Sequence, residues 1–357
     1  MKTWDAIIVG GGIIGMSLAL SLRRHGAKVL VVERAEPARE ASYAAAGMLA
    51  DLDPHTPEAL RPLAVASALM YPEFVHQLQD ESGVNVDLRE SGTIYFPESN
   101  FALGTIAAGM TEGDQLKSLE PCLAYTGVAV LLQERSVDPR ALTTALLKAA
   151  KHRDIDVSSG TPATELMMSN AVVEGVKTAK TAFHAPVVVN CCGAWAAELA
   201  GGVRIPTRPV KGQMLALIAP RRDLLHHVVR GPEVYLVPRS DGRILVGSTT
   251  EEAGFDKRVI PDTVQRLHQK AAELVPELGE ARMLEAWAGL RPGTPDGLPI
   301  LGRGETDGYF VATGHYRNGI LLAPVTALVM TQVIRGLPPE FELSAYSPGR
   351  FTKRGIG

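Results

Sequence analysis

The stretch that most constrains this chain is its opening thirty-three residues. Asp5 to Val9 reads as a short β-branched strand, and Gly10, Gly12 and Gly15 follow as G-x-G-x-x-G. Ile14, Leu18 and Leu22 then repeat at helical spacing, Gly26 is placed to end that helix, and a second strand, Val29 to Val32, runs into Glu33. Each part has a physical task in holding a dinucleotide. The first glycine permits a tight turn, the second lets backbone approach a pyrophosphate, and the third lets helix pack against strand. The free N–H groups of the helix N-terminus, beginning at Ile13 and Ile14, face the phosphates. Glu33 is placed to accept hydrogen bonds from an adenosine ribose. A carboxylate there suits a free ribose hydroxyl and repels a ribose phosphate, which leaves NAD or FAD and disfavours NADP, although Arg34 blunts the exclusion.

Composition excludes several alternatives. With 357 residues the chain is long enough for two domains of roughly 150 residues. A net charge of −3 without a basic run argues against nucleic acid as the main partner. Three cysteines, Cys122, Cys191 and Cys192, make neither a disulfide framework nor a CxxC or Cys/His metal cluster, so no metal site is expected and a reducing cytoplasm fits. The apolar run from Ala6 to Leu22 is broken by four glycines and reads as buried strand and helix rather than a membrane span, so no integral membrane contact is expected.

The rest of the chain predicts an α/β protein: a Rossmann-like dinucleotide-binding domain plus a second domain built on an antiparallel sheet. Residues 41–48 are small and permit close approach to something bulky, although composition alone favours an alanine-rich helix. Helices are expected over Pro57–Ser82, around Phe101–Leu119, from Pro139 behind an Asp138 N-cap towards Lys151, and over Pro261–Leu274. Pro186–Cys192 reads as a strand buried on both faces with a glycine exit at Gly193. It resembles a late strand of the nucleotide sheet and so implies a discontinuous first domain. The expected division is 1–83, 139–208 and 289–357 against 84–138 and 209–288. Val234–Pro238 and Ile244–Gly247 flank Ser240-Asp241-Gly242, a hairpin signal. Tyr309–Thr313 is a strand, Gly314–Gly319 a loop, and a last helix reaches Ile334.

Absences bear on the chemistry. A second G-x-G-x-x-G and a redox cysteine pair are both missing, so a bound FAD would be reduced directly by an organic substrate. The loop Gly314-His315-Tyr316-Arg317-Asn318-Gly319 can offer backbone N–H groups to the negative charge of a reduced flavin.

The segments "IIVGGGIIGMSLAL", "SYAAAGML", "VVNCCGAWA", "VKGQM", "VYLVPR", "GLRPGTPDGLPILGR" and "GHYRNGILLAP" together resemble the glycine oxidases of the D-amino-acid oxidase family of flavoproteins, from residue 7 to residue 324. The last two are the most specific. The resemblance implies non-covalent FAD, with Ile13 and Ile14 at the phosphates, Glu33 and Arg34 at the adenosine end, and Ser42 as a further contact. It further implies Ala46, Gly47 and Met48 near the flavin, Ala163 at the adenine, and His315, Tyr316, Arg317, Asn318, Gly319, Ile320 and Leu321 at the pyrimidine edge. For the substrate carboxylate the resemblance makes Arg291 the expected anchor, and a guanidinium fork matches a carboxylate bidentately. The alternative is an Arg paired with Glu285 or Asp296. Tyr235 would add a hydroxyl, with Arg317 and Met48 as further pocket candidates. The implied reaction is oxidative deamination of glycine, sarcosine or small D-amino acids by hydride transfer, with dioxygen as acceptor. A role in thiamine thiazole synthesis and a homo-oligomeric, tetrameric assembly follow from the same resemblance. The rival expectations are a D-amino-acid or sarcosine dehydrogenase using a quinone or carrier, an NAD-dependent oxidoreductase, and a non-catalytic flavin-binding protein.

Overall fold

The computed structural model describes residues 3–97, 110–111, 113–125, 127–202 and 205–351. Two sheets organise it. The first has six strands in the order Ile300–Arg303, Tyr309–Thr313, Val188–Asn190, Ala6–Val9, Val29–Val32 and Asp156–Ser158. All neighbours are parallel except Ile300–Arg303, which returns antiparallel beside Tyr309–Thr313. The late strand Val188–Asn190 pairs with Ala6–Val9, register Ile8↔Val189, so the nucleotide sheet is assembled from distant parts of the chain.

The central strands Ala6–Val9 and Val29–Val32 are buried on both faces, which is why they are continuously apolar. Alternate residues serve different layers. Ala6, Ile8, Val29 and Val31 pack with residues of the helices Ile13–Arg24, Arg61–Ser82, Pro139–His152 and Ala323–Ile334. Ile7, Val9, Leu30 and Val32 pack on the other side with Leu166, Val173 and Val176. Those three come from the antiparallel strands Ala163–Ser169 and Val172–Thr178, which with Ala182–His184 form a three-stranded sheet.

The second sheet has eight strands in the order Arg282–Gly293, Arg208–Ile218, Arg243–Gly247, Tyr235–Pro238, Val228–Arg230, Thr93–Tyr95, Ala129–Leu132 and Met110–Thr111. It is antiparallel except where Val228–Arg230 runs parallel to Thr93–Tyr95. One face is covered by the helix Pro261–Leu274, through Val264, Leu267, Ala271 and Leu274 against Leu215, Leu236 and Val246. On the other face Met214, Ala216, Val237 and Leu245 meet Ala46, with Met48, Tyr235 and Trp287 packed alongside.

The α/β class and the antiparallel second sheet are as the sequence suggests, and Asp138 caps its helix by accepting from the Arg140 and Ala141 amides. Three expectations are corrected. Residues 41–48 are helical only over Ala41–Ala44; the chain then extends through Ala45, because Gly47 at φ +76° turns it into the short strand Met48–Leu49. The segment from Leu290 lies in the long strand Arg282–Gly293, which runs straight across the expected boundary at residue 289. Gly193–Glu198 is a 3-10 turn. Of the helix expected around Phe101–Leu119, Gly113–Leu119 is helical and residues 101–109 and 112 lie outside the described residues.

Candidate active site

A single cleft of about 670 Å³ runs between the two sheets and reaches from Glu33 and Trp195 at one end to Tyr235 and Arg291 at the other. The glycine turn floors the first end. Gly10 adopts φ +110°, and a Cβ there would collide with the Cys191 carbonyl on the neighbouring strand. A Cβ on Gly15 would strike the Gly10 carbonyl, so this glycine brings helix onto strand and does not itself line the cleft. Ser42 reaches in from the alanine-rich turn, and its hydroxyl accepts from the Ile13 amide at 3.0 Å. Glu33 accepts from the Gly11 amide at 2.7 Å and the Ala35 amide at 3.0 Å, which fixes its carboxylate beside the turn. Arg34 bonds Glu40 at 2.7 Å and lies 3.5 Å from the Trp195 ring centroid.

The middle of the cleft is lined by Ala46, Gly47, Met48, Ala163, Gly193 and the loop from His315 to Ile320. Leu321, expected there, is buried just behind. The loop is held rigidly. The Tyr316 amide, at φ +47°, donates to Pro292 O at 3.1 Å, and the Asn318 amide to His315 O at 2.8 Å. His315 is buried, with Nε2 3.1 Å from Thr326 Oγ1, and burial pulls its pKa down to about 3, so the ring is neutral. Among the described residues the amides of Arg317, Gly319, Ile320 and Leu321 have no acceptor in the protein. Ile320 and Leu321 are buried, and buried backbone N–H groups are rarely left unpaired, so these donors call for a ligand rich in acceptors.

At the far end, Arg291 projects from the strand Arg282–Gly293 over Gly212, where a Cβ would meet its guanidinium. Nη2 donates to Ser248 Oγ at 2.6 Å and Nη1 to Thr249 O at 3.1 Å. Neither acidic residue expected as a partner reaches it: Glu285 is bound by Arg140, and Asp296 by Arg350 at 2.7 Å. Among the described residues no carboxylate lies within 4.0 Å of Arg291. Tyr235 leans over Gly247, next to Ser248, and among the described residues its hydroxyl has only the Met214 thioether as a partner at 3.5 Å. Arg317 is exposed and bonds Thr250 Oγ1 at 3.3 Å.

A second arginine in the wall went unsuspected in the sequence. Arg230 is the direct cross-strand partner of Tyr235 and therefore shares its face. Its Nη2 is 3.0 Å from Glu134 Oε1 and 3.1 Å from Oε2, and its Nη1 is 3.3 Å from Asp53. Burial pushes the Glu134 carboxyl up against the pull of Arg230. Trp195, stacked on Phe255 at 5.3 Å, was likewise missed as a cleft residue. Nothing local in the sequence marks either residue, because each acts through a partner brought in by the fold.

The acceptor-seeking amides, the glycine turn and the elongated cleft fit a dinucleotide carrying a redox ring, and comparison with known proteins gives the same class. The family model described as FAD dependent oxidoreductase (DAO) matches residues 5–333, and the chain belongs to that family. It is an FAD-dependent oxidoreductase. It is 33% identical over 360 residues to a glycine oxidase of Pseudomonas putida, covering 96% of this chain and 98% of the relative. It is 36% identical to the bifunctional protein ThiO/ThiG of Synechocystis sp., covering 98% of this chain but 54% of that one, so it spans about half the length of that relative. The crystal structure of glycine oxidase from Geobacillus kaustophilus superposes with a TM-score of 0.92 at 32% identity, covering all of both chains. Among the described residues there is no group of three or more potential metal ligands and no helix long and apolar enough to cross a membrane.

Proposed function

We propose that this protein oxidises glycine and comparable small amino acids, such as sarcosine and small D-amino acids, with water hydrolysing the imine to an oxoacid and ammonia (methylamine from sarcosine) and dioxygen, the final acceptor, leaving as hydrogen peroxide. The observation that carries the reading is Arg291: a half-buried guanidinium facing the cleft, without a carboxylate of its own, beside a tyrosine hydroxyl. Such a group is an incomplete ion pair, and a substrate carboxylate completes it. By the same criterion Arg230 is an unsuitable anchor, since Glu134 and Asp53 already hold it.

Bound FAD would supply the two-electron acceptor. The unit built on the six-stranded sheet would hold it: the Gly10–Gly15 turn and Ser42 at the phosphates, Glu33 and Arg34 at the adenosine end, and the amides of Gly319 to Leu321 at the ring edge. The eight-stranded sheet would supply the substrate pocket. Arg291 has donors to spare beyond Ser248 and Thr249 and would take the carboxylate in a fork. The Tyr235 hydroxyl, released from its weak sulfur partner, would donate to the same carboxylate. Met48 would bound the space next to the ring, and Arg317, near the mouth, would brace the loop through Thr250. Burial makes His315 a very weak base and its Nε2 is turned to Thr326, so it is a poor proton acceptor, and no side-chain base is required if the substrate binds with a neutral amine. The chain's contribution is then orientation and charge placement.

The names of its relatives, glycine oxidase and ThiO/ThiG, support this reading and extend it to the supply of an imine for thiamine thiazole formation. The test is an aerobic peroxide assay on the purified protein with glycine, sarcosine, D-alanine and D-proline, run beside artificial-dye reduction. Stoichiometric peroxide with glycine is expected. Dye reduction without peroxide would identify a dehydrogenase instead, and turnover of none of the four would overturn the substrate class.

A further inference from the structure

The helix Arg61–Ser82 has no part in the reading so far, yet two of its hydroxyls reach the loop behind the proposed ring edge. Tyr71 and Ser67 lie four residues apart on one face and are fully buried. The Tyr71 hydroxyl donates to Ile320 O at 2.5 Å, and the Ser67 hydroxyl donates to Leu321 O at 2.6 Å. Ser67 Oγ also accepts from the Val325 amide at 3.3 Å, at the start of the last helix. Two adjacent carbonyls are thus drawn out of the cleft and into the helical layer.

The consequence follows from peptide geometry. In a planar trans peptide the carbonyl and the next N–H point in opposite directions. Holding Ile320 O against Tyr71 therefore turns the Leu321 N–H away from the helix, towards the side on which Gly319 and Ile320 line the cleft. Holding Leu321 O against Ser67 turns the Leu322 N–H to Asn318 O, 2.8 Å away, which closes the loop. The Gly319, Ile320 and Leu321 amides are, with that of Arg317, among the described donors without an acceptor in the protein. The carbonyls have been given partners and the donors have been left free.

We propose that Tyr71 is a positioning residue for the cofactor, with Ser67 fixing the next peptide: Tyr71 aims the Leu321 amide at the pyrimidine edge of the flavin, where negative charge collects when the ring is reduced or takes up an anion. Burial raises the Tyr71 phenol well above its ordinary value, so it remains a donor at every working pH. The inference rests on FAD being the cofactor and is independent of which amine is oxidised.

The test uses the FAD-loaded protein and no amine substrate. Sulfite adds to oxidised flavin and places negative charge on the pyrimidine edge, and its dissociation constant is read from bleaching of the visible band. Tyr71→Phe is expected to weaken sulfite binding about tenfold, the scale of one hydrogen bond to a charged group. Ser67→Ala should weaken it less, in the same direction, and FAD should dissociate more readily from both variants. Apoprotein thermal midpoints, measured alongside, separate this from general loss of packing. A sulfite constant within threefold of wild type in Tyr71→Phe overturns the proposal whatever the midpoint does; a larger loss sustains it. Should Tyr71→Phe not fold, Ser67→Ala is judged by the same threefold limit.

Discussion

The two ends of the cleft are built by different means. The dinucleotide end is made of main chain: Gly10 fits under the Cys191 carbonyl only without a side chain, Gly15 brings helix to strand, and unpaired amides line the loop after Gly314. The end proposed for the substrate is made of side chains. Arg291, over Gly212 and bonded to Ser248, and Tyr235, over Gly247, stand on different strands and line the same cleft. Main-chain sites tolerate almost no added atom, whereas side-chain sites tolerate change of shape but not of charge.

That contrast can be broken experimentally, starting with the largest expected effect. Arg291→Ala removes the uncompensated cation, and kcat/KM for glycine should fall by about 100- to 1,000-fold, the scale of truncating one partner of a charged, hydrogen-bonded pair. FAD content should be unaffected, as absorbance per protein would show. Gly10→Ala should do the reverse. It forces a Cβ into the Cys191 carbonyl at φ +110°, costs about 3 kcal/mol or more in stability, and yields protein poor in FAD, measurable by thermal unfolding and flavin content. If Gly10→Ala retained FAD and Arg291→Ala lost it, the division between the two ends would be wrong.

His315 offers a test of the boundary between them. Its ring takes up protons near 6.5 when unfolded but only near 3 in the fold. The unfolded chain therefore binds more protons between those values. The stability is fully present above about pH 6.5 and is lost as pH falls towards 3, by up to about 1.4 kcal/mol per pH unit. Urea midpoints at pH 7.5 and pH 5 should shift less in His315→Asn than in wild type; equal shifts would show that the ring does not titrate as described. The smallest effect is expected for Tyr235→Phe, which should raise KM for glycine about tenfold through one lost hydrogen bond to a carboxylate and leave kcat nearly intact.

A comparison of the arginines shows why the site was only partly legible. Arg291 sits in a distinctive run, Gly289-Leu290-Arg291-Pro292-Gly293, and could be singled out, but whether Glu285 or Asp296 neutralised it could not be known until Arg140 and Arg350 were seen to occupy them. Arg230 lies in an unremarked strand. Its place beside Tyr235 comes from strand register, and its neutralisation from Glu134 and Asp53, nearly one hundred and two hundred residues away. The alanine-rich turn misled in the opposite sense. Ala41 to Ala46 have good helix propensity, but Gly47 and pairing of Met48 with Ser136 stop the helix after Ala44.

By itself the sequence determined what depends on neighbours along the chain: the strand–glycine–helix–strand unit ending on Glu33, the Asp138 cap, the hairpin around Asp241-Gly242, and the Pro261–Leu274 helix. Each of these is fixed by local sterics, capping or periodicity. Tertiary structure alone decided which arginine is paired with carboxylates and which, among the described residues, is not, and which helix holds the carbonyls of the Ile320–Leu321 segment. Charge compensation and hydrogen-bond pairing act between groups a few ångströms apart in space, and that distance bears no relation to their separation in sequence.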